Sequence, residues 1–123
     1  MIADVAAALD GVRIDADGRF GPLRFPAGLA VFAGHFPGLP LVPGVYLLEL
    51  ARQVASRRHG AALRLREVVD AKFTAEVHPD RPITGVVAIT AGDDGDWRAD
   101  VALDVDATPA ARLRLRLDER GDR

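Results

Sequence analysis

A base, a backbone donor and an acid fall within fifteen residues of one another, as His35, Gly44 and Glu49. Those are the three parts needed to remove a proton next to a carbonyl and expel a hydroxyl. His35 stands between Gly34 and Phe36 on the stretch Gly34 to Gly44, where Pro37, Pro40 and Pro43 fix φ repeatedly and forbid helix. A stiff loop of this kind holds a side chain in one place, as a site requires. Context alone leaves a structural histidine equally open. Gly44 opens the next segment, where the first N–H groups of a helix lack partners and a missing side chain lets a ligand approach. A plain helix-entry glycine fits as well. Glu49 shares a helical face with Arg52, Gln53 and Ser56, as an ordinary solvated glutamate would. Val45 and Tyr46 flank that face, however, and Leu47 and Leu48 cover the other, so the first turn is apolar all round. A carboxyl desolvated under such a cover has its pKa pushed upward and serves as a general acid.

The remaining inventory excludes several chemistries. There is no Cys, which removes disulfides, thiolate zinc sites and thiol nucleophiles, and no metal site is read from the sequence. The one Ser, Ser56, lies beside Arg57 and Arg58 without glycines to form an oxyanion hole, so a serine hydrolase is discarded. His59 sits where a cationic ring caps a helix C-terminus, and His78 opens a His-Pro-Asp surface turn.

These residues need a scaffold, and 123 residues suit one domain, 1–123, able to bury its own core. A net charge of -2 argues against nucleic acid or an anionic membrane as partner, and nothing reads as a leader or a spanning segment. A cytoplasmic protein is expected. The segment 1–19 reads as variable, and brief strands and turns are expected at Val12–Ile14, Leu23–Phe25 and Leu29–Phe32. A helix is predicted from Gly44 to His59, with Gly60 ending it. Beyond it the apolar period becomes two over Arg64–Val77, Ile83–Ala91, Trp97–Val105 and Arg112–Leu117, with turns at Asp93–Asp96 and Ala107–Pro109 and a frayed tail from Asp118. Long antiparallel strands after one buried helix predict an α+β fold with the sheet wrapped around that helix.

The run from Gly34 to Gln53, with His35, two Pro-Gly pairs and Glu49 in register, closely resembles the signature of the 3-hydroxyacyl-acyl carrier protein dehydratases of type II fatty-acid synthesis. Lys72 to Asp80 is similar to the strand and turn that follow the helix in that family, and the resemblance spans roughly residues 20 to 117. It implies a hotdog fold and conversion of a (3R)-3-hydroxyacyl thioester to the trans-2-enoyl thioester. By this resemblance His35 takes the C2 proton, Glu49 is the acid assisting loss of the 3-hydroxyl, and the Gly44 N–H polarises the thioester carbonyl. Phe36, Val45 and Tyr46 would line the acyl tunnel, and Gln53 would support the site. No cofactor is implied beyond the phosphopantetheine of an acyl carrier protein, and the site would span a dimer. An N-terminal Leu-Pro-His-Arg-Tyr-Pro-like box of the fatty-acid enzymes is missing, the turn reads His78-Pro79-Asp80-Arg81-Pro82, and Leu39 replaces a commonly polar residue. These departures point toward the short dehydratase-like proteins of polyketide, polyene or aryl polyene clusters, some of them heteromeric. Glu49 in place of Asp favours dehydration without double-bond migration. Arg52, Arg57, Arg58, Arg64 and Arg66 would offer an acidic carrier a basic patch, or form a solvated surface. The competing readings are a hotdog thioesterase and a non-catalytic partner subunit.

Overall fold

The helix α3, Gly44–His59, forms where the residue pattern places it, and everything else is arranged around it. Leu47, Leu50, Ala51, Val54 and Ala55 recur on one face and are all buried, and Gly60 ends the helix at φ 94°, a backbone angle that favours glycine. The computed structural model describes residues 1–34 and 38–119. Among them, strands β1 (Arg19–Leu23), β2 (Arg64–Phe73), β3 (Ile83–Ala91), β4 (Trp97–Val105) and β5 (Thr108–Asp118) form one antiparallel sheet in the order β1-β3-β4-β5-β2.

Period-two alternation decides which way this sheet faces. In β4, Ala99, Val101 and Leu103 point to the core and register against Leu115, Leu113 and Ala111 of β5, which are buried too. Of the residues between them, Asp100, Arg112 and Arg114 carry charge, and Asp100 faces Arg114 on the outer surface. Arg112, Arg114 and Arg116 therefore do not protect an edge. β5 is an inner strand, and the sheet's edges are β1 and β2.

Several expected boundaries move. The N-terminal segment folds as helix α1, Ile2–Ala8, which buries Val5 and Leu9 against α3. Residues 29–32 are not a strand. Leu29 and Phe32 enter successive turns that lead into a short helix α2, Val31–Gly34, with Phe32 buried. Of Val12–Ile14 only an Ile14 bridge to Phe20 forms, and β1 begins at Arg19 and ends at Leu23. β2 stops at Phe73, short of Val77. The β4–β5 turn sits at Asp106 and Ala107, both at positive φ, so Thr108 and Pro109 already belong to β5. The tail does not fray at Asp118. That residue ends β5, is buried, and holds Arg64 at 3.2 Å and Arg66 at 3.3 Å.

Candidate active site

The loop leading into α3 is anchored on both sides before the helix begins. Val42 donates its N–H to the Val77 carbonyl at 2.8 Å, and His78 Nδ1 lies 3.2 Å from the Pro40 carbonyl. Asp80, at φ 64°, donates its N–H to Phe25 at 2.8 Å. His78 is thus a brace between the turn after β2 and the proline loop, a tertiary role that its surface-turn sequence does not reveal. His35 and Phe36 lie outside the described residues.

Gly44 is the first residue of α3, behind Pro43 in extended conformation. A Cβ there would stand 3.2 Å from Phe73 Cζ, so the absence of a side chain lets the Phe73 ring lie close over the helix entry. Phe73, Val45 on α3, and Val68 and Val69 on the edge strand β2 are all exposed. Tyr46 turns inward instead. It is buried edge-on against Phe25, with ring centroids 5.9 Å apart, and its hydroxyl donates to Asp4 Oδ2 at 3.0 Å. It belongs to the packing of α1 on α3.

Glu49 comes one turn after Val45 and is only 9% exposed. Arg52 reaches it as a fork, with Nε donating to Oε1 at 2.9 Å and Nη2 to Oε2 at 2.6 Å. Gln53 Nε2 donates to Oε2 at 2.7 Å and lies 3.0 Å from the Ile2 carbonyl. Burial, the largest single influence, raises the carboxyl's pKa. The bonds from Arg52 and Gln53 and the nearby positive charges outweigh it together, and the pKa falls below its ordinary value. This overturns the upward shift expected from sequence. Held this way, Glu49 favours its ionised form. The expected shift counted desolvation and left out the cation three residues along the helix.

The expected basic patch is likewise taken apart. Arg52 donates to the Leu63 carbonyl as well as to Glu49, and Arg57 donates to the Leu9 carbonyl at 2.8 Å. Arg58 reaches the Asp15 and Ala16 carbonyls at 3.2 and 2.9 Å. With Arg64 and Arg66 on Asp118, all five arginines are engaged within the fold. Ser56 Oγ donates to the Arg52 carbonyl and accepts from Leu63 N–H, a structural role. His59 packs on Trp97, ring centroids 4.4 Å apart, and meets Glu119, so it does more than cap the helix. No described helix is long and apolar enough to cross a membrane.

In the sequence Arg52 reads as a neighbour on the Glu49 face and a member of a basic patch, His78 as a surface turn and Phe73 as part of the strand after the helix. Neither the Arg52 grip on Glu49 nor the part of Asp4, Phe73 and His78 in this region is read there. The three-residue spacing of Glu49 and Arg52 carried a signal for one of them, since side chains three apart on a helix are neighbours. The other three act through tertiary contacts that leave no local pattern.

Comparison with known proteins fits this geometry. A family model described as ApeI dehydratase, of the ApeI-like family, matches residues 16–105. The 3-hydroxyacyl-(acyl-carrier-protein) dehydratase FabZ of Cereibacter sphaeroides is 33% identical over 93 residues, covering 68% of this chain and 60% of its own. The FabZ of Ralstonia nicotianae is 30% identical over 102 residues, covering 75% and 62%. The chain thus spans about 60% of the length of such relatives. Among solved structures, the dehydratase heterocomplex ApeI:P of Xenorhabdus doucetiae superposes with a TM-score of 0.68 at 19% identity, covering 87% of this chain and 93% of that one. The E. coli PaaI protein superposes at 0.66 with 13% identity, covering 95% and 91%. These superpositions establish the hotdog fold, and the matched family model establishes that the chain belongs to the ApeI-like dehydratase family.

Proposed function

We propose that the chain is a cytoplasmic dehydratase that converts a (3R)-3-hydroxyacyl thioester on an acyl carrier protein to the trans-2-enoyl thioester. The pathway is fatty-acid, polyketide or aryl polyene synthesis, and the chain needs no cofactor of its own. The observation that carries this reading is the buried Glu49 carboxylate, held by Arg52 and Gln53 just inside a helix that opens with Pro43-Gly44. A carboxylate is costly to bury, and spending that energy beside a helix entry suits a polar substrate group better than packing.

His35 takes the C2 proton, the electron pair left behind forms the C2–C3 double bond, and the C3–O bond breaks. The ionised Glu49 accepts a hydrogen bond from the 3-hydroxyl and aligns that bond for cleavage. The proton that leaves with the oxygen as water is the one His35 removed, so the imidazole ends neutral, as it began. The Gly44 N–H stabilises the charge that grows on the thioester oxygen. The open apolar surface at Val45, Val69 and Phe73 and the unpaired edge of β2 support work as a pair, with a second copy or a related dehydratase. Val45 and Phe36 then border the acyl chain. The ApeI:P heterocomplex is a structural neighbour compatible with such pairing.

Hydration of a short trans-2-enoyl thioester, followed by loss of the conjugated chromophore, tests this. Activity in the parent and losses of orders of magnitude in His35→Ala and Glu49→Ala are expected. Thiol release without hydration would make the chain a thioesterase. An inactive chain that accelerates a related dehydratase would make it a partner subunit.

A further inference from the structure

Arg52 stands out because it serves two masters. Its Nε and Nη2 hold both oxygens of Glu49, while Nη1 donates to the Leu63 carbonyl at 2.9 Å. Three bonds from one planar group leave the guanidinium no freedom to turn, and the carboxylate it grips inherits that rigidity. We propose that Arg52 is the positioning residue for Glu49, a clamp fastened to the Leu63 backbone that fixes where the carboxylate points. This rests on the reading of Glu49 as the group that meets the substrate hydroxyl.

Orientation and charge follow from the same contact. A free glutamate one turn into a helix samples several rotamers, and only one keeps an oxygen aimed at a given point. The fork selects one, and Gln53 secures the Oε2 atom from the other side. The charged groups on the elements around the carboxylate are Arg52 and Arg57 of α3 and, from α1, the Met1 ammonium and Asp4. Asp4 is occupied by the Tyr46 hydroxyl, and Arg57 by the Leu9 carbonyl. The buried residues of β3, β4 and β5 are apolar apart from Asp118, which pairs with Arg64 and Arg66. Arg52 is therefore the cation in direct contact, and its removal leaves Glu49 with burial as the dominant influence. A groove of about 290 Å³ lined by Ile2, Ala6, Arg57 and Ala62 opens on Arg52. Water reaches the outer side of the clamp there, while the carboxylate stays covered.

The test uses the full chain with whatever partner its activity requires. The Glu49 carboxyl carbon is titrated by 13C NMR in the parent, Arg52→Gln and Arg52→Lys, and kcat and KM are measured against pH for the same proteins. In Arg52→Gln the titration midpoint should rise by at least about one pH unit. The acidic limb of kcat should move with it, with KM little changed. Arg52→Lys should restore the midpoint, since it restores the charge, but leave kcat several-fold low, since it cannot restore the fork. A Glu49 titration identical in parent and Arg52→Gln, with only a lowered melting temperature, would overturn the proposal and leave Arg52 as a strut for Leu63. Should Arg52→Gln not fold, Arg52→Lys decides alone, and a parental kcat there overturns the clamp. Full activity in Glu49→Ala would instead sink the dehydratase role of Glu49, while the titration still judges Arg52.

Discussion

Arg52–Glu49 and Arg114–Asp100 are the same pair of chemical groups at nearly the same separation, 2.6 and 2.8 Å, placed in opposite surroundings. The first is wedged between α1 and α3, with the carboxylate side chain 9% exposed. The second bridges β4 and β5 on the outer face of the sheet, with both side chains more than half exposed. In water the attraction is screened and offset by the entropy of holding two long side chains, so the outer pair contributes little. Under cover, the pair is the means by which a charge stays inside at all, and breaking one half strands the other. A hydrogen-bond distance says nothing about which case applies. The cover decides it.

Breaking the inner pair should therefore have the largest effect. Arg52→Ala is expected to cost roughly 3 kcal/mol by chemical denaturation, because an uncompensated carboxylate remains buried. Adding Glu49→Leu to Arg52→Ala should recover most of that loss, and parental stability in Arg52→Ala alone would show that water already reaches Glu49. Acid sharpens the contrast next. The Glu49 pKa is lowered in the folded state, so its contribution to stability is complete above the ordinary value of 4.5 and is lost as pH falls through the lowered one. Stability of the parent should fall across that window, and Glu49→Gln should remove that part of the slope. Tyr46→Phe, which takes only the hydroxyl from Asp4, should cost about 1 kcal/mol and loosen α1, visible as faster amide exchange over residues 2–8. Arg114→Ala comes last, with no measurable change in melting temperature expected. A clear drop there would mean that the outer charges act as a network.

How much of this was legible in the sequence follows the same division between local and tertiary causes. β3 was readable to the residue as a mostly apolar run and β4 by its alternation, both local properties, and Leu113, Leu115 and Leu117 declare their face by spacing alone. α3 was readable because its apolar period lies within the element and Gly60 follows directly on its last residue. α1 was not, since seven residues around Asp4 make no helix of their own and are held by Tyr46, Gln53 and Arg57 from forty or more positions away. The β4–β5 turn misled because Pro109 is the usual punctuation, whereas the positive φ angles fall on Asp106 and Ala107, neither of them glycine. At the candidate site, Glu49 and Gly44 were singled out by type and position. The charge state of Glu49 was misread because desolvation shows in an apolar pattern, whereas the opposing cation counts only once its side chain is seen to turn inward.

The chain has a single tyrosine and a single tryptophan, and the fold sets them at opposite ends of α3. Tyr46 lies in the first turn against α1, while Trp97 rests on His59 in the last, about 20 Å along the helix axis by its rise per residue. Two intrinsic emission signals therefore report the two ends of one central rod without any label. Coincident tyrosine and tryptophan transitions in denaturant would mean that the helix and its wrapping melt as one cooperative unit. An earlier tyrosine transition would show the end that carries Glu49 opening first, with the far end still docked on the sheet.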